Sequence, residues 1–270
     1  YSHLGWKVIG INHLGDWGTQ FGKLIVAYRK WGEEEKLRGA EPVKYLEELY
    51  VKFHKELEGN EALEDEARAA FKALEEGAEE ERKLWKLFTE MSLKKFYEVY
   101  GLLGVDFDHD MGESFYEDKV EPAIKRLEEA GLAQESDGAL VVKLEEHNMP
   151  ACLLRKSDGA TLYATRDLAA AFYRQERFSP DRMLYVHGMP QDLHFRQFFK
   201  VLEMYDKIFK DKMHFAGFGQ IRFQGLKLST RAGNVIHLED VISEGIRRSN
   251  QKLDEAEAEG RVLENRDDVA

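Results

Sequence analysis

The segment Met183-Leu184-Tyr185-Val186-His187-Gly188-Met189-Pro190-Gln191-Asp192-Leu193-His194 decides the fold class of this chain. Its apolar beginning predicts a strand over residues 183–186, and the polar residues after Gly188 predict a loop at the carboxyl end of that strand. A helix is predicted over residues 191–205 and another strand over 213–218. This order is typical of a parallel α/β sheet, whose ligands bind at the carboxyl ends of its strands.

The same order of elements is predicted at the beginning of the chain. Residues 6–11 predict a short buried strand, and residues 12–18 predict a loop at its carboxyl end. A helix begins near Thr19, a residue type typical of N-caps, and ends at Trp31 and Gly32.

A helical region rich in Glu and Lys follows. Apolar residues three or four positions apart predict amphipathic helices over residues 43–57, 63–74 and 84–102. The charged run over residues 75–82 is interpreted as a solvated helix face or linker that contains no site.

The α/β pattern then returns. Ser114 and Glu117 have the spacing of a capping box, which predicts a helix that continues to Ala130 and ends at Gly131. Residues 139–142 predict one strand of a small hairpin. Further strands are predicted over residues 151–155 and 161–163, and Thr165 is predicted to cap a helix over 167–175. The predicted architecture is an α/β sheet domain interrupted by a mostly helical insertion.

The composition excludes several classes of protein. The net charge is -12, which argues against a protein that coats nucleic acid without sequence preference, because binding to the phosphate backbone requires concentrated Lys and Arg. The single cysteine, Cys152, excludes an internal disulfide framework and is typical of a reducing cytosol. No apolar run is long enough to predict a membrane span.

Polar residues follow the predicted strands. His13 and Asp16 lie in the first loop, where the alternative interpretation is a tight turn with a capping Asp and a buried Trp17. His3 and His13 each lack the second His of a nucleotide-binding His motif, so neither is assigned to one.

Asp167 is the most chemically informative residue of the segment 163–167. It could complement a helix dipole, an effect of about 0.3–1 kcal/mol. It could instead bind a cationic ligand, because a carboxylate and a guanidinium form a bidentate, charge-assisted pair. Arg166 is interpreted as structural, since its side chain points elsewhere on a helix. Glu113 is either a second anion for such a ligand or an exposed loop glutamate.

Gln191 can both donate and accept hydrogen bonds, which suits a ligand with several N–H groups. Asp192 and His194 could belong to the same ligand site, or they could instead be capping and helix-surface residues. No metal site is predicted, because these residues and His187 do not have the spacing of a closed zinc site and no cysteine joins them.

The segment Gly225-Leu226-Lys227-Leu228-Ser229-Thr230-Arg231-Ala232-Gly233-Asn234 suits a polyphosphate. Glycine allows close approach of the backbone, while Lys227 and Arg231 would neutralise phosphate charge. Taken alone, the segment could also be a basic surface turn.

Residues 12–18, 113–116, 163–167, 191–194 and 227–231 together occur in the order found in arginyl-tRNA synthetases. The chain resembles the catalytic domain of this class I family from Tyr1 to about Asn250. The resemblance implies a Rossmann-type core, here without its first strand, that activates L-arginine with ATP and Mg²⁺. Arginyl-adenylate and pyrophosphate form, and the arginyl group then moves to tRNA(Arg).

The resemblance also implies roles for particular residues. Tyr163, Asp167 and Gln191 look like ligands of the arginine side chain, and Glu113 looks like a direct or indirect partner. Residues 219–221, which are Gly219, Gln220 and Ile221, stand where adenine would meet the backbone of a strand.

Lys227, Ser229 and Arg231 stand where the family has its KMSKS loop and are the residues to which catalysis is assigned. The segment departs from that string, with Leu228 in place of Met, Thr230 in place of the second Lys and Arg231 in place of the final Ser. Arg231 could supply the displaced positive charge, so the share of catalysis carried by Lys227 is left open.

The resemblance further implies four segments. Residues 1–41 would form the first part of the catalytic domain, 42–148 a mostly helical insertion, 149–240 the second part with the KMSKS-like loop, and 241–270 the start of a helical C-terminal region. The family's His-x-Gly-His motif would lie upstream of Tyr1. We therefore expect these 270 residues alone to activate arginine very poorly or not at all. Robust ATP–pyrophosphate exchange by them would contradict this expectation.

The partners implied are L-arginine, ATP and tRNA(Arg), with Mg²⁺ bound together with ATP rather than at a dedicated protein site. The full-length protein is expected to be monomeric and cytoplasmic, without membrane attachment. The alternative hypothesis is a catalytically silent, synthetase-like module that binds arginine or nucleotide.

Overall fold

The computed structural model describes residues 1–157, 159–219, 222–223, 226–227 and 237–260. The chain divides into two compact units. Unit 1 contains residues 1–17 and 107–221, and unit 2 contains residues 18–106 and 222–270.

Unit 1 combines strands and helices, as the predicted α/β fold class requires. Two pairs of strands are parallel, and the remaining strands form an antiparallel sheet in the order β3-β4-β5. Its described strands are β1 (Ile11–Asn12), β2 (His109–Asp110), β3 (Ala133–Ser136), β4 (Ala139–Val142), β5 (Cys152–Arg155), β6 (Met183–Gly188) and β7 (Met213–Phe218). Its described α-helices are α6 (Val120–Glu129), α7 (Tyr163–Phe178) and α8 (Asp192–Tyr205).

The pairing of β6 with β7 follows from the sequence pattern of β6. Met183 and Tyr185 are buried, while Leu184 and Val186, which alternate with them, are exposed. The strands pair in parallel from Met183 and Met213 to Gly188 and Phe218. The two strands and the helix α8 between them confirm the unit predicted from residues 183–218.

The core of unit 1 lies around α7 and α8. Ala169, Ala170 and Ala171 of α7 are almost completely buried. Phe195 and Phe198 of α8 are fully buried on the face opposite its polar residues. This packing fixes both helices, and both carry candidate site residues.

Unit 2 is mostly helical in its described part, as predicted for the region after Trp31. Its α-helices are α1 (Thr19–Trp31), α2 (Glu34–Leu37), α3 (Pro42–Glu56), α4 (Glu61–Glu75), α5 (Glu79–Leu102) and α9 (Leu238–Ala258), and β8 (Arg222–Phe223) pairs with β9 (Leu226–Lys227). Helix α1 packs against α3 and α4, which places it with the helical segment and sets the unit boundary at residue 18.

The contact of α1 with α4 depends on Gly22. A Cβ atom at this position would lie 2.2 Å from the Ala67 carbonyl oxygen, so only glycine permits this approach. The charged run over residues 75–82 joins α4 to α5. Within it Glu81 is buried and accepts a 2.7 Å hydrogen bond from Arg29 Nη1.

Several local predictions were wrong. The strand predicted over residues 6–11 is limited to β1, which begins at Ile11. Ser114 caps no helix by its side chain, because its hydroxyl binds a carboxylate distant in sequence, and a 3-10 helix over Glu113–Lys119 precedes α6. Residues 161–163 form no second strand, since α7 begins at Tyr163 and the predicted cap Thr165 lies inside it.

Among the described residues, none of the helices has the length and apolar character that a membrane span requires.

Candidate active site

The carboxyl ends of β1 and β2 place two polar loops at one edge of unit 1. The pairing continues beyond the strands, since the Met111 N–H donates to the Asn12 carbonyl at 3.0 Å and the Glu113 N–H to the Leu14 carbonyl at 2.9 Å. The loop with His13 therefore lies beside the loop with Glu113, as expected for neighbouring parallel strands.

Asp16 fastens these two loops together. Its Oδ1 accepts the Ser114 backbone N–H at 2.8 Å, and its Oδ2 accepts the Ser114 hydroxyl at 2.6 Å. A Cβ atom on Gly112 would lie 2.5 Å from Asp16 Oδ1, so the absence of a side chain there allows the contact. The carboxylate of Asp16 thus fixes the loop of His13 relative to the loop of Glu113.

Asp167 lies at the centre of the cluster, on α7. Its Oδ2 is 2.7 Å from His194 Nε2 on α8, and its Oδ1 is 3.8 Å from His13 Nε2. The Asp167 side chain is only 16% exposed. The ring of Tyr163 stands 4.7 Å from the His194 ring, centroid to centroid. A half-buried anion with two imidazole neighbours is suited to a cationic ligand that reaches it past Tyr163.

Glu113 is a second carboxylate in this cluster. Arg166 Nη1 donates to its Oε2 at 3.4 Å, and the Glu113 side chain is 23% exposed. Burial raises the pKa of Glu113 to about 7, opposed by Arg166 and reinforced by the negative charges of Asp167 and Asp16. The interpretation of Arg166 as pointing elsewhere was wrong, because it shares the cluster with the acids.

The raised pKa of Glu113 makes stability depend on pH. Between 4.5 and about 7 the folded protein binds more protons at this group than the unfolded chain, so the free energy of unfolding falls as pH rises through that window. Glutamine does not titrate. As the pH rises from 4.5 to about 8, we expect the free energy of unfolding of the parent protein to fall by about 2 kcal/mol relative to that of Glu113→Gln. Urea unfolding of both proteins across this range measures the shift, and a constant difference would contradict the raised pKa.

Arg174 brings a second cation to the cluster. Its Nη2 lies 3.1 Å from His13 Nδ1, which is also 2.9 Å from the Met111 carbonyl oxygen. Its guanidinium packs over the rings of Tyr116 and Tyr185, at 5.6 Å from each ring centroid. Burial, together with the charge of Arg174, lowers the pKa of His13. A lowered pKa favours the neutral form of the His13 imidazole.

The remaining predicted arginine ligands lie at the exposed rim. Tyr163 is 57% exposed, and Gln191 is exposed at the residue that precedes α8. Burial lowers the pKa of His187, and a hydrogen bond between His187 and Gln191 opposes this lowering. Asp192 pairs at 3.8 Å with Arg196 on the surface of α8, which agrees with the helix-surface interpretation of this residue.

The phosphate side of the predicted site is described only in part. Gly219 is exposed after β7, and Lys227 lies in β9 opposite Arg222. Gln220, Ile221, Ser229 and Arg231 lie outside the described residues. Within the described part of the chain, no group of three or more His, Cys, Asp or Glu side chains is arranged to hold a metal ion.

Sequence reasoning missed His13 and Arg174 as members of the cluster. Arg174 follows Asp167 by seven positions, which is two helical turns, so both residues lie on one face of α7. That spacing was available in the sequence once the helix was known to continue to Phe178. The contact of His13 with the cluster depends on tertiary packing, and no local pattern indicates it.

Comparisons with known proteins match this chain to one family. Residues 1–270 match the family described as tRNA synthetases class I (R), catalytic domain. The arginine–tRNA ligase of Clostridium beijerinckii is 51% identical over 271 residues, which cover 100% of this chain and 47% of that protein. Arginine–tRNA ligase 1 of Bacillus cereus is 53% identical over 251 residues, which cover 93% of this chain and 44% of that protein.

A solved structure gives the same result. The arginyl-tRNA synthetase of Plasmodium falciparum superposes with a TM-score of 0.74 at 26% identity, covering 93% of this chain and 41% of that chain. The chain spans about half the length of the curated relatives it matches.

Proposed function

Since this chain belongs to the family of class I tRNA synthetases (R), catalytic domain, we propose that the protein containing it is an arginine–tRNA ligase. It activates L-arginine with ATP and transfers the arginyl group to tRNA(Arg). The observation that carries this proposal is the half-buried cluster of Asp167 and Glu113, with the exposed Tyr163 beside His194. Paired carboxylates at strand and helix ends favour a ligand with a guanidinium group.

In the first step, a carboxylate oxygen of arginine attacks the α-phosphorus of ATP. A new oxygen–phosphorus bond forms, the bond to the bridging oxygen breaks, and pyrophosphate leaves with its electron pair. No protein base is required, because the attacking carboxylate is already ionised at neutral pH. In the second step, a ribose hydroxyl at the end of tRNA(Arg) attacks the carbonyl carbon of the adenylate. An ester bond forms, the bond between the carbonyl carbon and the phosphate oxygen breaks, AMP leaves, and the hydroxyl proton is released.

The residues of this chain contribute position and electrostatic stabilisation. Asp167 pairs with the arginine guanidinium, while Tyr163 and Gln191 hydrogen-bond to the substrate from the rim of the site. Glu113 supplies a second negative charge on the Arg166 side of the cluster. The loops that carry His13 and Glu113 are held together by Asp16, so Glu113 occupies a fixed position before arginine arrives.

The phosphates of ATP are assigned to the segment over residues 227–231. Lys227 and Arg231 would neutralise charge that moves onto pyrophosphate, and Ser229 would donate a hydrogen bond to a phosphate oxygen. Residues 219–221 would contact adenine. Mg²⁺ would accompany ATP and reduce repulsion between the phosphates and the attacking carboxylate. The monomeric state and the cytoplasmic location remain predictions.

The test is arginine-dependent ATP–pyrophosphate exchange and charging of tRNA(Arg) by the full-length protein that carries this sequence. We expect both activities with arginine and neither with lysine, whose ammonium cannot form the bidentate pair with Asp167. Arginine binding without exchange or charging would instead favour the silent arginine-binding module. Equal activity with lysine would contradict the assignment of the acidic cluster.

A further inference from the structure

The contact between α7 and α8 at the centre of the site points to a role for a residue outside the predicted ligand set. Asp167 is the carboxylate to which guanidinium binding is assigned, and His194 Nε2 lies 2.7 Å from its Oδ2. The His194 side chain is 10% exposed and that of Asp167 is 16% exposed. A hydrogen bond of this length to a half-buried carboxylate is charge-assisted and fixes the direction of both partners.

The ring of His194 is itself held by aromatic neighbours. It stacks on Phe198 at 6.0 Å with an interplanar angle of 9°, and it meets Phe195 edge-on at 5.0 Å. The ring of Tyr163 contacts it from the exposed side at 4.7 Å. Rotation of His194 away from Asp167 would break these contacts, so its Nε2 is a rigid donor.

A carboxylate without such a donor has a broad choice of orientations, because the terminal torsion of Asp is poorly restricted. The second neighbour, His13 Nε2, lies 3.8 Å from Oδ1 and is beyond hydrogen-bond distance. Among the contacts described for the Asp167 carboxylate, the hydrogen bond with His194 is therefore the shorter, and it sets the orientation of the carboxylate.

We propose that His194 is a positioning residue for arginine recognition: its Nε2–H donates to Asp167 Oδ2 and holds the carboxylate in the orientation that receives the substrate guanidinium. This inference rests on the proposed function. A carboxylate fixed before binding avoids the ordering cost that a mobile one incurs, so the effect falls on arginine affinity. His194 does not touch the reacting carboxylate of arginine or the α-phosphate, so turnover at saturating arginine is not expected to depend on it.

Two substitutions separate this role from a merely structural one. His194→Phe retains the aromatic packing and removes the donor. His194→Gln removes the ring and retains an amide donor at about the reach of Nε2. We expect His194→Phe in the full-length protein to raise the arginine KM by about 10- to 100-fold. The KM for ATP should be unchanged, and kcat should stay within about threefold. His194→Gln should restore most of the arginine affinity.

A purely structural role of His194 predicts the reverse order, in which Phe is tolerated and Gln is damaging. That order, or an unchanged arginine KM in His194→Phe, would overturn the proposal. His147→Phe, at an exposed position of the same unit, is the matched control and should leave the arginine KM unchanged.

The orientation of the Asp167 carboxylate in crystal structures of the two variants tests the proposal without relying on activity. We expect the carboxylate to turn in His194→Phe and to keep its orientation in His194→Gln. An unturned carboxylate in His194→Phe would overturn the positioning role even if the protein proved to have another activity. Absence of arginine-dependent exchange in the parent protein, by contrast, would count against the proposed function alone.

Discussion

Asp167→Ala in the full-length protein is expected to lower kcat/KM for arginine. The loss of transition-state stabilisation should be roughly 2–5 kcal/mol, the cost of removing one partner of a desolvated charge pair. This corresponds to a loss of roughly 30- to 5,000-fold. The reason is the position of the side chain, which is 16% exposed and lies between two imidazoles. Without it, the guanidinium would lose its anionic partner and His194 would lose its acceptor. Arginine-dependent ATP–pyrophosphate exchange at varied arginine concentration measures the effect.

The matched control is Asp192→Ala, because Asp192 lies in the first turn of α8 and pairs only weakly with Arg196 at its exposed surface. Its kcat/KM for arginine should remain within about twofold of the parent value. An unchanged KM and kcat in Asp167→Ala would remove Asp167 from the arginine site and with it the main support for the assigned substrate.

Phe195→Ala is expected to destabilise unit 1 by about 3–5 kcal/mol. Phe195 is completely buried and its ring contacts Phe215 at 4.9 Å and His187 at 4.7 Å, centroid to centroid. Alanine would leave a cavity between α8 and the β6–β7 pair that the surrounding side chains can fill only in part. Denaturant unfolding followed by far-ultraviolet circular dichroism measures the loss.

Leu193→Ala is the control for this substitution. Leu193 lies two positions earlier on the same helix and is 46% exposed, so its truncation should change the free energy of unfolding by no more than about 0.5 kcal/mol. A loss below about 1 kcal/mol in Phe195→Ala would contradict the packing described for the core of unit 1.

Much of the fold could be predicted because its elements carry strong periodic patterns. The apolar run of β6 and the spacing of apolar residues in α8 determine those elements locally, and the helices of unit 2 are amphipathic over several turns. The order of these elements was sufficient to predict the α/β class, and the family resemblance is confirmed by the match over residues 1–270.

The two caps that were wrongly predicted, at Ser114 and Thr165, share a physical cause. Ser114 was expected to cap a helix, but Asp16 accepts both its hydroxyl and its backbone N–H from 98 positions earlier. Thr165 was expected to cap α7, but its hydroxyl donates to the Leu154 carbonyl at 2.5 Å inside the core. In both cases a tertiary partner replaced the local one, and a pattern confined to a few residues does not contain that partner.

The candidate site was predicted unevenly for a related reason. Asp167, Tyr163 and Gln191 were proposed from the sequence because ligands of α/β sheets bind at strand ends, and their roles as arginine ligands stay a prediction. Sequence reasoning did not identify Arg174, which lies two helical turns further along α7. Nor did it assign a function to His194, whose role depends on the packing of α8 against α7. The roles of Lys227, Ser229 and Arg231 stay a prediction.

The pairing of β1 with β2 has a consequence for synthesis on the ribosome. Ile11 pairs with His109, so β1 has to wait for a strand that is made 98 residues later. During that interval the helices α1 to α5 emerge, and the hydrogen bonds within each helix join residues close in sequence and form quickly. Once formed, they shorten the stretch of coil that separates the two strands and so reduce the entropic cost of closing it. Folding of α1 to α5 would therefore favour the pairing of β1 with β2, which brings the loop of His13 beside the loop of Glu113.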